Sequence, residues 1–121
     1  MIAALYLRSA VSDDDAIAEQ HRVCAAHAVA QGWRIGEIFI DNGVSGVRDD
    51  RPGIEALRDC LQEGRASVVV AEDGARVCRD VVMLGEFYGF CDALGVEVSY
   101  ARSSVSSFDL KQLLEMQRPS V

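Results

Sequence analysis

The sequence has no run of 18 or more apolar residues, so no transmembrane helix is expected. Its opening, MIAALYLR, is too short for a signal peptide and carries its charge in the wrong order, so a cytoplasmic location is expected. No two of the four cysteines (Cys24, Cys60, Cys78 and Cys91) stand at CxxC spacing, and each falls in an apolar stretch. Reduced, buried thiols are expected rather than disulfides or metal ligands. The two histidines, His21 and His27, are six apart, whereas a helical metal pair would be four apart, so no metal site is expected. A Gly-rich phosphate loop of recognised spacing is also missing, which weakens any reading as a small-molecule phosphate enzyme. Finally, there is no basic excess: 12 Lys and Arg face 19 Asp and Glu, a net charge of −7. A domain that binds nucleic acid unaided usually carries surplus Lys and Arg. Any grip on DNA by this chain alone is therefore expected to be weak.

What is present suits one domain. Half of the 121 residues are hydrophobic, enough to bury a single core. The stretch from Ile2 to Arg8 reads as a buried strand. From Asp14 to Gln31 apolar residues recur at helical spacing (Ile17, Cys24, Ala28), with Asp13 to Asp15 for a cap and first turn and Gly32 as a stop. WRIGEIFI, Trp33 to Ile40, reads as a second strand and DNGVSGVRDD as a polar loop. Pro52 suits the first turn of a helix to Gln62, ended by Gly64. ASVVVA, Ala66 to Ala71, is a buried parallel strand. A loop with Gly74 follows, then a helix from Asp80 to Leu94, a strand from Val96 to Tyr100, a polar linker, and a short amphipathic helix from Phe108 to Gln117. This alternation predicts an α/β fold: a mostly parallel four-stranded sheet with helices on both faces.

Ligands of such sheets meet the loops at the carboxyl ends of the strands. Three polar loops fall there: SAVSDDD, DNGVSGVRDDRPG and EDGARVCRD. They bring four arginines, Arg8, Arg51, Arg76 and Arg79. The guanidinium fork matches phosphate oxygens bidentately and stays charged in any surroundings. Two readings of them stand: a phosphate site, or pairing of Arg8 and Arg51 with the aspartates of their own loops.

The order of the pieces favours the first. Tyr6-x-Arg8, Gln20, Asp41-Asn-Gly-Val-Ser-Gly46, Asp50-Arg-Pro-Gly53 and Arg76-x-x-Arg79-Asp80 fall in sequence. The set resembles the N-terminal catalytic domain of the resolvase/invertase family of serine recombinases, from about Ala3 to Tyr100. The resemblance implies a resolvase-like domain over residues 1–102 that dimerises on DNA. It implies in-line attack of a serine on a DNA phosphodiester, giving a 5′-phosphoserine link and a free 3′-hydroxyl. No cofactor is implied. Arg8, Arg51, Arg76 and Arg79 match the phosphate-binding arginines; Gln20 and Ser45 match supporting positions.

The chain departs from the pattern in three places. The implied nucleophile lies two residues past Arg8, where this chain has Ala10; counted back from Gln20 it falls on Val11. The hydroxyls at hand are Ser9 and Ser12, either of which is the candidate nucleophile or a turn residue, Ser12 also an alternative helix cap. The acid expected before Arg76 is replaced by Ala75. Residues 103–121 read as a linker and short helix, with no DNA-binding domain. Site-specific recombination with impaired cleavage and strand exchange is therefore expected. The alternative is an inactive regulatory or protein-binding module on the same fold. Either form is expected as a homodimer or as a mixed dimer with a recombinase.

Overall fold

The structure, a computed structural model, describes residues 1–47 and 51–102. Its elements in chain order are β1 (Ile2–Ser9), α1 (Asp14–Ala30), β2 (Arg34–Asn42), α2 (Pro52–Gln62), β3 (Val68–Ala71), α3 (Gly74–Val77), α4 (Val81–Ala93) and β4 (Glu97–Tyr100). The four strands form one sheet in the order β2-β1-β3-β4, and every pair is parallel. The strand order reverses beside β1, which leaves a crevice beyond the carboxyl ends of β1 and β3.

Alternation along β1 explains the two layers. Ala3, Leu5 and Leu7 face one side and pack with Val68 and Val70 of β3 against Cys24 and Ala28 of α1. Ala4 and Tyr6 face the other, where Val69 and Val98 meet Ile54 and Leu57 of α2 and Phe87 and Cys91 of α4. A strand buried on both faces carries no polar alternation. Leu57 is wholly buried. Leu57→Ala is expected to lower stability by about 2–5 kcal/mol, read as an earlier urea midpoint with an unchanged slope.

Local signals act as expected at most helix ends. Asp13 caps α1, its Oδ1 accepting from the Ala16 N–H at 3.0 Å, with Asp14 and Asp15 in the first turn. Ser12 is therefore not the cap. Pro52 opens α2. Gly32 and Gly64 follow α1 and α2 with φ of 79° and 72°, a backbone that side chains disfavour. The loop predicted around Gly74 holds the one-turn helix α3, capped by Asp73. Asp80 precedes α4 as its cap, accepting from Val82 and Met83 N–H. Trp33 lies just before β2 and packs on the α1 side, edge-on to His27. The predicted helix from Phe108 to Gln117 lies outside the described residues.

All four cysteines are free and buried, as expected. Burial pushes the Cys24 and Cys91 thiols up to about 12 and, with a hydrogen bond to Glu37, that of Cys60 to about 11. Among the described residues, no helix is long and apolar enough to cross a membrane. At the β2 edge, Ile38 and Ile40 are exposed, and they line an apolar groove with Leu7, Ile17 and Ala18.

Candidate functional site

Arg8 is the last residue but one of β1 and is 1 % exposed. Its Nε donates to the Arg76 carbonyl at 2.8 Å, Nη2 to the Ala75 carbonyl at 2.8 Å, and Nη1 to the Val44 carbonyl at 2.9 Å. One guanidinium thus joins α3 to the loop after β2. It meets main-chain carbonyls, not the aspartates of its own loop. Burial lowers its pKa; Tyr6 opposes that, and the positive charges of Arg51, Arg76 and Arg79 add to it. The four arginines therefore share one electrostatic neighbourhood. Gly46 runs so close that a Cβ there would lie 2.8 Å from Arg8 Nη2.

Gln20 fixes the backbone at this point. Its Oε1 accepts from the Arg8 N–H at 3.1 Å and its Nε2 donates to the Arg8 carbonyl at 2.9 Å. A buried amide here replaces a strand neighbour. The supporting position expected for Gln20 thus becomes a contact to Arg8 itself.

Arg76 and Arg79 frame α3. The Arg76 guanidinium pairs through Nε with Glu72 Oε1 at 3.2 Å and makes a long contact, 3.4 Å, from Nη1 to the Arg8 carbonyl. Its side chain is 28 % exposed. Arg79 is exposed, with its backbone N–H on the Gly46 carbonyl at 3.0 Å. Between them Cys78 is buried, its thiol directed to the Gly46 carbonyl at 3.3 Å.

Arg51 belongs to a second, deeper cluster. Its Nη1 donates to the Tyr6 hydroxyl at 3.2 Å, and the guanidinium lies 5.8 Å from the Tyr6 ring centre. The Tyr6 hydroxyl donates to Asp41 Oδ2 at 2.7 Å, and Asp41 also accepts from the Gly53 and Ile54 N–H groups at 2.7 and 3.0 Å. Arg51 is 3 % exposed, and its Nε is buried without a hydrogen-bond partner among the described residues. Burial, then the hydrogen bond to Asp41, raises the Tyr6 phenol far above its ordinary range.

The candidate hydroxyls are placed differently from each other. Ser9 is 8 % exposed and its Oγ donates to the Val11 carbonyl at 2.5 Å. Its own carbonyl accepts from the Gly43 and Val44 N–H groups at 2.8 and 3.0 Å. Ala10, Val11 and Ser12 are exposed, Val11 at 77 %. Ser12 lies beside Gly43, where a Cβ would sit 3.4 Å from the Ser12 Cβ. Asn42 ties this loop to α1, accepting from the Asp13 N–H and donating to Asp14 Oδ1, both at 2.9 Å. Ser45 Oγ accepts from the Val47 N–H at 3.3 Å, a turn contact.

The residue that sequence reasoning missed is Glu72. It directly follows β3, is 7 % exposed, and holds Arg76 through one oxygen and Arg102 through the other, at 3.1 Å. The available signal was an i,i+4 acid–arginine spacing just after a buried strand.

The model of the resolvase N-terminal domain family matches residues 3–118, nearly the whole sequence. The chain belongs to this family. Solved serine-recombinase structures carry the same fold. The N-terminal catalytic domain of TP901-1 integrase superposes with a TM-score of 0.87 at 19 % identity, covering 96 % of this chain and 89 % of that one. A resolvase family site-specific recombinase from Streptococcus pneumoniae gives 0.82 at 18 % identity, covering 96 % and 82 %. The C-terminal catalytic domain of ISC1926 TnpA, an IS607-like serine recombinase, gives 0.77 at 21 % identity, covering 94 % and 78 %. No curated protein matches the sequence. In this chain, the Arg8 clamp and the Arg51 cluster lie at the strand ends, where an α/β sheet binds its ligand.

Proposed function

We propose that this chain is a serine-recombinase-type catalytic domain for site-specific recombination whose own DNA cleavage is impaired. Residues 1–102 form that domain. Arg76 and Arg79, with Arg51 deeper in the fold, take a DNA phosphate, while Arg8 and Gln20 fix the floor beneath it. Ser45 stands in the loop between the two arginine clusters. Phosphoryl transfer asks mainly for positioning and charge neutralisation, which arginines supply without a cofactor.

The observation that carries the impairment is the Ser9 hydroxyl, buried and donated to the Val11 carbonyl. A nucleophile must present its oxygen about 3–3.5 Å from phosphorus and in line with the leaving group. Ser12 is exposed but stands two residues past Ala10, where the family pattern calls for the nucleophile. The Ser9 hydroxyl gives its proton to a main-chain carbonyl, which is no general base. The acidic balance of the chain, −7, further weakens DNA capture by this domain alone. It therefore works beside another DNA-bound subunit, as a homodimer or in a mixed dimer with an active recombinase.

Covalent trapping tests the reading. The full chain is incubated with a nicked suicide DNA, alone and mixed with an active family member. Adduct formation on this chain is expected to equal that of the Ser9→Ala, Ser12→Ala double variant. A phosphoserine link mapped to Ser9 or Ser12 overturns the impairment.

A further inference from the structure

Ala75, the residue before Arg76, is exposed and offers no carboxylate. The acid that reaches Arg76 comes from three residues further back. We propose that Glu72 is the positioning residue of the anion site: it holds Arg76 by Nε so that the Nη edge is left for a phosphate oxygen. This rests on the reading of the arginine cluster as a phosphate site.

Three observations carry it. The Glu72 carboxylate is nearly buried and both its oxygens are engaged, Oε1 by Arg76 at 3.2 Å and Oε2 by Arg102 at 3.1 Å. Its backbone is locked as well. The Glu72 carbonyl accepts from the Arg102 N–H at 3.1 Å, and the neighbouring Ala71 carbonyl from the Ala101 N–H at 2.9 Å. Finally, among the described residues the Arg76 side chain has one other tie, the 3.4 Å contact from Nη1 to the Arg8 carbonyl, and it is part-exposed. The Arg8 guanidinium and that of Arg76 repel each other, so without a carboxylate Arg76 is driven outward by like charge. A carboxylate on Nε opposes that drift and fixes the plane of the fork, whose remaining N–H groups suit a phosphate. Arg102 steadies the acid from the other side and reaches Glu19 of α1 at 3.7 Å. The site is thereby linked to the segment that leaves β4.

Positioning and plain electrostatics predict opposite signs. Glu72→Gln removes a negative charge beside the site, so charge alone tightens anion binding. Positioning weakens it. Inorganic sulfate is titrated into the ¹⁵N-labelled full chain while the arginine Nε–Hε signals are followed. Sulfate is expected to shift Arg76 and Arg79, and Glu72→Gln to weaken that binding by about fivefold, less than the worth of one full charge-assisted hydrogen bond because the Nη groups remain. Glu72→Asp, which keeps the charge on a shorter arm, is expected to recover part of the loss. Unchanged or tighter binding by Glu72→Gln overturns the role of Glu72 while leaving the phosphate site standing. If sulfate shifts neither arginine in the unaltered chain, the phosphate site itself fails and this proposal with it. Should Glu72→Gln not fold, Glu72→Asp is read against the unaltered chain: a displaced Arg76 Nε–Hε signal and weaker sulfate binding are expected together, and binding equal to that of the unaltered chain overturns the proposal.

Discussion

Arg8→Ala is expected to destabilise the domain by about 3–5 kcal/mol, the cost of stranding buried polar groups around a lost charge. Three carbonyls, those of Val44, Ala75 and Arg76, lose their donor at once, and they come from two separate loops. Water cannot readily replace a side chain that is 1 % exposed. Arg8→Lys separates charge from geometry. A lysine keeps the charge, but one ammonium cannot span three carbonyls as the planar fork does. It is expected to lose about half as much, roughly 1–3 kcal/mol. Urea unfolding followed by circular dichroism reads both. A loss below about 1 kcal/mol for Arg8→Ala would show that the clamp is dispensable.

The second large effect is expected at Asp41. Asp41→Ala leaves the Tyr6 hydroxyl and the Gly53 and Ile54 N–H groups without their acceptor, in a site where Arg51 is also buried. The expected cost is about 3–5 kcal/mol, or roughly 10–20 °C in Tm. Gly53→Ala should do similar harm from the other side, because its Cβ would stand 2.7–2.8 Å from the Asp41 carboxyl atoms. The same cluster sets a pH limit. The folded Tyr6 phenol titrates far above its ordinary value, so the unfolded chain releases that proton first. Tyr6 therefore contributes its stability in full below about pH 10 and loses it as pH climbs beyond. Tyr88 and Tyr100 are shifted in the same direction. Tyr6→Phe is expected to be less stable than the parent at pH 7 and to show a shallower alkaline decline. An identical decline in both would remove Tyr6 from the cause.

Elements with a simple period were legible in the sequence. Ile2 to Arg8 reads as a strand because its residues are buried on both faces, and Asp13 and Pro52 mark helix starts through local chemistry alone. Gly74 misled, because a capped single turn has too few residues to show a period. The four arginines were legible as residues of the strand-end loops, and the other three all act electrostatically on Arg8. What each one touches was not. Arg8 had the aspartate run of its own loop to pair with, yet it turns to carbonyls that only folding brings within reach. Glu72 was hidden because its partners are 4 and 30 residues away along the chain, and only the parallel pairing of β3 with β4 closes the longer gap.

The sheet edge at β2 bears on how the protein behaves in bulk. Ile38 and Ile40 present apolar surface on a strand that, among the described residues, pairs on one side, the arrangement that invites edge-to-edge association. Net charge holds copies apart, and near the isoelectric point of about 4.7 that repulsion vanishes. Salt at about 0.15 M already confines it to a range of roughly 8 Å. Mildly acidic, salty buffers are thus where solutions of this domain turn cloudy first, and a lysine at position 38 or 40 is the remedy the fold suggests.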